Sequence, residues 1–195
     1  MRFMCLPLGA ALIAAAAACG AAPTRPAPPS AVPATIFLEP AASPSPCVIG
    51  FDELRVHGAA FTALTSCKLD VSVTAASWVA STSYGNPAPF VQFFSPAGTT
   101  TAGEITVSGV STAFSFTSVD IYSSTTKIPY EISGFSGGAL VFAIEAVQPN
   151  TFGGFATVGG PGPRGPLDKL RIRLTNPAAP CCTNPVGLDN IRVIR

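Results

Sequence analysis

The chain predicts an all-β domain, an antiparallel sandwich or barrel, preceded by a leader that is not part of it. Three observations carry this. Period-2 runs of β-branched and aromatic residues recur from residue 47 to 195, Gly, Pro, Ser and Asn divide them, and no stretch shows the 3.6-residue apolar stripe of a helix. Many short strands without crossover helices pair antiparallel and close on themselves. The chain has no internal repeat of fixed period.

The leader comes first. MRFMCLPLGAALIAAAAACG opens with Arg2 and continues as an uncharged apolar run from Phe3 to Ala18 that ends in small residues. This is the pattern of an export signal over residues 1–18, and the run falls short of the about 20 apolar residues a spanning helix needs. Ala16-Ala17-Ala18-Cys19-Gly20 resembles the bacterial lipobox, in which a cysteine after small residues is lipidated and becomes the new N-terminus, although Ala16 stands where Leu is usual. That resemblance implies a lipoprotein of the cell envelope, at the outer membrane or cell surface, held to the membrane by its N-terminal lipid only. Cleavage at an Ala-x-Ala site with a secreted product is the alternative. Residues 19–46 are rich in Ala, Pro and Ser, with prolines at 23, 26, 28, 29, 33, 40, 44 and 46, so neither helix nor central strand persists and the segment reads as an extended spacer.

Residues 47–195 have the length of one domain. Its strand-like runs are, in order, CVIGFDELRV, KLDVSVTAASWV, FVQFF, EITVS, AFSFTSVDIYS, KIPYEISGF, ALVFAIEAV, LDKLRIRLT and VGLDNIRVIR. Lys169, Arg171 and Arg173 alternate with Leu170, Ile172 and Leu174, which makes them the solvated face of a strand. With 11% charged residues and a net charge of +1 there is no basic field for nucleic acid. Gly153 to Pro166 reads as an exposed loop. Within it Gly160-Pro161-Gly162-Pro163-Arg164-Gly165 fits G-x-G-x-x-G, but the prolines remove amides where a pyrophosphate would need them.

The chemistry that remains points away from catalysis. His57 is the only histidine, no Gly-x-Ser-x-Gly elbow accompanies it, and no spacing singles out a carboxylate pair. The same lack of histidines and of Cys-x-x-Cys excludes zinc. Recognition has a better candidate in ASWVASTSYGNPAPFVQFF, where Trp78, Tyr84, Asn86 and Phe90 are suited to pack on the C–H face of a pyranose and hold its hydroxyls. Trp78 and Phe90 lie in strand-like runs, so filling a core is the alternative for both.

GFDEL, FSFTSVDIYSSTTKIPYEISGFSGGALVF and GLDNIRV resemble bacterial surface proteins with a galactose-binding-like jelly-roll domain. The resemblance implies a jelly-roll β-sandwich and a non-catalytic binding domain, with an extracellular glycan as the leading ligand class. A structural envelope or coat domain without a small-molecule site is the alternative. Beyond Cys5 and Cys19, Cys47, Cys67, Cys181 and Cys182 form an even set for an oxidising compartment, open to three pairings. Jelly rolls bring first and last strands together, so the resemblance favours bridges from Cys47 and Cys67 to the Cys181-Cys182 pair. In jelly-roll carbohydrate-binding modules, acidic residues ending the first strand and an Asp early in the last often hold a structural calcium, and Asp52, Glu53 and Asp189 occupy those places. The alternative is that Asp189 caps a turn or accepts main-chain amides without a metal.

Overall fold

A computed structural model describes residues 44–85, 88–109, 111–162, 164–179 and 182–195. The export signal, Cys19, the spacer up to residue 43, Asn86 and Cys181 lie outside the described residues. The chain forms the expected antiparallel β-sandwich, with no helix among the described residues. Its strands are β1 (Pro46–Ile49), β2 (Ala60–Phe61), β3 (Ala63–Ser66), β4 (Leu69–Ala75), β5 (Trp78–Ser81), β6 (Phe90–Ser95) and β7 (Thr101–Ser108). They continue as β8 (Ser115–Ser123), β9 (Ile128–Ser136), β10 (Ala139–Gln148), β11 (Phe155–Gly159), β12 (Lys169–Asn176) and β13 (Asn184–Ile194). The larger sheet runs β11-β8-β13-β6-β5-β2, with β1 also on β13, and the smaller runs β10-β9-β12-β7-β4-β3.

Every period-2 run carries a strand, and three local features depart from the sequence reading. KLDVSVTAASWV holds two strands in different sheets, because Ala76 takes a left-handed backbone (φ 61°) and turns the chain from β4 into β5. Within the stretch from Gly153 to Pro166, expected as loop, β11 pairs with β8, and the short β2 and β3 were not anticipated. These strands lack the long β-branched runs that mark a strand in sequence, and neighbours supply their pairing.

Alternation fills the space between the sheets. Ile105 and Val107 on β7, Ile132 on β9 and Leu170, Ile172 and Leu174 on β12 are buried against Val91 and Phe93 on β6, Val119 and Ile121 on β8 and Leu188 on β13. Each such side chain contributes about 1.5–3 kcal/mol by leaving water. Gly103 on β7 shows how tightly the sheets meet, since a Cβ there would fall 2.6 Å from the Phe93 ring.

Cys47 and Cys67 are bonded to each other, with Cα atoms 6.2 Å apart, which corrects the expectation that both would reach the Cys181-Cys182 pair. The reason lies in the β3–β4 hairpin. Its two-residue turn, Cys67-Lys68, has both residues left-handed (φ 57° and 56°), a geometry that usually requires Gly or Asn. This turn presents Cys67 to Cys47 on β1. Since β1 belongs to the larger sheet and the hairpin to the smaller, the bridge fastens the sheets together at one end.

Candidate functional site

Residues directly opposite one another in an antiparallel pair share a face. Val186 and Leu188 of β13 point into the core, so Gly187 and Asp189 point outward from the larger sheet. Gly187 pairs with Gln92 on one side and Tyr122 on the other, and Tyr122 with Phe155, which gives one row across the outer face. A second row is Asp189, Asp120 and Thr157, and a third is Arg192, Ser118 and Gly159.

The first row supports an aromatic cluster. With no side chain at Gly187, the Phe90 ring lies over the β13 backbone, and an added Cβ would come 2.9 Å from that ring. Phe90 then meets Tyr122 at 4.7 Å and Phe155 at 5.2 Å between ring centroids. Tyr84 is carried over this cluster by the loop after β5, 6.1 Å from Phe90, and remains 36% exposed. Its hydroxyl and the Gln92 amide share hydrogen bonds of 2.9 and 2.6 Å, so the ring is held in place. His57 supports the same loop. Its Nδ1 accepts the Thr82 amide at 3.2 Å, which leaves Nδ1 without a proton, and its ring edge meets Tyr84 at 5.6 Å.

Two of the aromatic residues proposed from sequence, Trp78 and Phe90, are fully buried and are not open ligand platforms. Trp78 is 1% exposed, tilted on Phe93 at 4.8 Å, and its indole N–H donates to the Ala75 carbonyl. Phe90 has no exposed surface and serves as the floor beneath Tyr84. Tyr84 is where an open aromatic ring was expected, and Asn86 falls outside the described residues. Sequence reading missed Gln92, Asp120, Tyr122, Phe155 and Arg192. Their parity within FVQFF, FTSVDIYS and DNIRV was visible, but the register that aligns them was not.

The polar rows centre on Asp120. Arg192 donates to both its oxygens at 2.9 and 2.8 Å, Thr157 donates at 2.6 Å and Asn190 at 3.0 Å. Burial alone would raise the Asp120 carboxyl, but the hydrogen bonds and charge of Arg192, with Thr157 and Asn190, outweigh it and hold it below the usual range. Asp189 has the opposite balance. Burial pushes its carboxyl up to about 6; the Asn190 amide and Arg192 oppose this, and the charges of Asp52 and Asp120 add to it. Its Oδ2 accepts from Asn190 at 3.1 Å, while no donor among the described residues reaches the buried Oδ1. Asp120 and Asp189 thus form a carboxylate pair with separated acidities, but both are buried and neither lines any of the three main clefts.

Asp52 and Asn190 bear on the calcium expectation. Asn190 is left-handed (φ 47°) at a break in the β13 register, which turns its side chain towards Gly50. A Cβ at Gly50 would meet Asp52 Oδ2 at 3.1 Å and Asn190 Oδ1 at 3.9 Å, so the absent side chain leaves room lined by oxygens. Asp52 and Asn190 oxygens border that room, and Asp189 Oδ1 has no donor among the described residues. The charges of Asp52 and Asp120 act on Asp189, and that of Glu53 is not among them. Among the described residues no three His, Cys, Asp or Glu side chains converge as a metal site.

The opposite outer face differs in kind. On the smaller sheet Arg171 pairs with Glu131 and lies 3.9 Å from Glu104, which is 3.8 Å from Arg173. Lys169 sits over the Phe135 ring. These cations are already engaged, as befits a solvated strand face.

Fold and face together define an all-β sandwich with a mixed aromatic and polar surface on one sheet. No family model matches the chain, and no curated protein matches it. Solved structures to which it is similar include carbohydrate-binding modules. A family 29 module from Piromyces equi is 9% identical, with 78% of this chain and 91% of that one covered, at a TM-score of 0.47. A variant of another family 29 module, made to probe ligand recognition, is 14% identical over 77% and 92%, at 0.44. TmCBM61, in complex with β-1,4-galactotriose, is 14% identical over 75% and 94%, also at 0.44. At such identities the side chains of the face are this chain's own.

Proposed function

We propose that the domain is a non-catalytic module that binds an extracellular glycan on the outer face of the larger sheet, and that Cys19 anchors it by lipid to the cell envelope. The observation that carries the binding reading is Tyr84, a half-open ring fixed by Gln92 and His57 above Phe90, on the face that also carries the Arg192–Asp120 pair. A pyranose offers an apolar C–H face and a rim of hydroxyls, so the ring would take the first and the polar rows the second. Because Arg192 is paired with Asp120, that pair offers donors and acceptors without net charge of its own, which suits a neutral sugar. Fixing Tyr84 in advance lowers the ordering cost of binding. One ring and a few hydrogen bonds correspond to a dissociation constant of about 10 µM to 1 mM.

Calcium belongs to the same proposal in a structural role. Asp52, Asp189 and the Asn190 side-chain oxygen would hold it, with main-chain carbonyls and water completing the about six to eight oxygens the ion takes. Bound there it would tie the segment after β1 to β13.

A glycan array probed with the exported chain tests the binding reading. The wild type is expected to bind at least one neutral glycan, and Tyr84→Ala to lose that binding at least about tenfold with unchanged thermal unfolding. A blank array for the wild type, or equal binding by Tyr84→Ala, would overturn it.

A further inference from the structure

We propose that β10 pairs edge to edge and antiparallel with β10 of a second copy, joining two of the smaller sheets across a two-fold axis. β10 ends its sheet and, among the described residues, pairs only with β9. The other end strands are short: β2 has 2 residues, β3 has 4 and β11 has 5, whereas β10 has 10. Exported sandwiches guard their edges with short strands, lysine, proline or inward charge. Those three edges are guarded by length, as is β1, which has 4 residues and pairs only with β13 among the described residues. β10 contains no lysine, arginine or proline, and Glu145 is its single charge.

The side chains along this edge are apolar and open. Leu140 is 59% exposed, Val147 53% and Val141 36%, with Ala143 and Ala146 exposed between them. Half of the main-chain N–H and C=O groups of any strand point to each side, so those of β10 that point away from β9 form a ladder with no neighbouring strand among the described residues. Such a ladder is complementary to itself under two-fold rotation, the commonest symmetry of homo-oligomers. Ten paired residues make about ten main-chain hydrogen bonds, as many as a typical specific interface carries.

Charge selects the second copy over a charged partner strand. Pairing centred on Ile144 sets each Glu145 across from Ala143, an uncharged residue of the same face, so no like charges meet. Arg171 and Arg173 are committed to Glu104 and Glu131 and are not free to draw an acidic peptide. The outer face of the larger sheet stays uncovered, so this pairing is independent of glycan binding.

Sedimentation of the exported full chain across about 1–200 µM, a span matched to modest affinity, reads the association directly. A monomer–dimer equilibrium is expected, weakened at least about tenfold in a Val141→Lys, Val147→Lys variant whose thermal unfolding is unchanged. A chain monomeric throughout, or a dimer indifferent to both lysines, would overturn the proposal. Hydrogen exchange on the wild type gives a second reading that needs no variant. Alternate amides of β10 should become protected as concentration rises, and amides that exchange equally fast in monomer and dimer would refute the pairing.

Discussion

In calcium-free buffer the domain is expected to lose about 3 kcal/mol of folding stability between pH 4 and 6, because the Asp189 carboxyl moves from 3.8 unfolded to about 6 folded. The sign follows from proton binding. Inside that window the folded chain still holds the proton while the unfolded chain has released it, so each rise in pH favours unfolding until the folded group also ionises. Asp120, held down by Arg192 against its own burial, and Glu131, held down first by Ser133, act in reverse. The stability they add is lost as pH falls below about 4.5, at the foot of the window. Asp189→Asn should flatten the window and unfold at higher denaturant than wild type at pH 7. Added calcium should then raise the wild-type midpoint and leave Asp189→Asn unmoved. A wild type that is indifferent to calcium after thorough chelation would leave Asp189 as part of the fold without a metal.

Removing the Cys47–Cys67 bridge is expected to cost about 3 kcal/mol, the loop entropy released by opening a closed segment of 20 residues. The effect concentrates where the bridge acts. Freed from Cys47, the left-handed Cys67-Lys68 turn loses the tether that holds the β3–β4 hairpin to β1. Denaturant titration of a Cys47→Ser, Cys67→Ser variant should show a lower midpoint, with a somewhat steeper slope because the unfolded chain is freed to expand. Peptide mapping of the unreduced wild type should recover Cys47 and Cys67 in one linked fragment. Recovery of Cys47 linked to Cys181 or Cys182 would contradict the pairing.

Period-2 alternation located the strands because burial on one face forces it. Leu170, Ile172 and Leu174 announced β12 and its solvated cations without any knowledge of their neighbours. Pairing order is a different kind of information, set by contacts distant in the chain. Asp120 and Asp189 are 69 residues apart in the numbering and stand opposite each other only because β8 and β13 adopt one register. The same limit explains the aromatic residues. Tyr84 was legible as a turn residue between two apolar runs, but whether Phe90 faced the core or the outer surface depended on Gly187, about 100 positions later, leaving room for its ring. The disulfide was misread for a related reason: the tight turn that brings Cys67 to Cys47 is built from Cys and Lys, types that do not signal a left-handed turn.

On the proposed function, a glycan lies across the outer face of the larger sheet. The most direct measurement is amide and side-chain shift mapping of the isotopically labelled domain as it is titrated with a neutral oligosaccharide that binds on the array. Shifts are expected at Tyr84, the Gln92 amide, Thr157 and the Arg192 guanidinium, in neighbouring rows of one face, with β9, β10 and β12 silent. Shifts confined to the smaller sheet, or absent at saturating sugar, would contradict the claim.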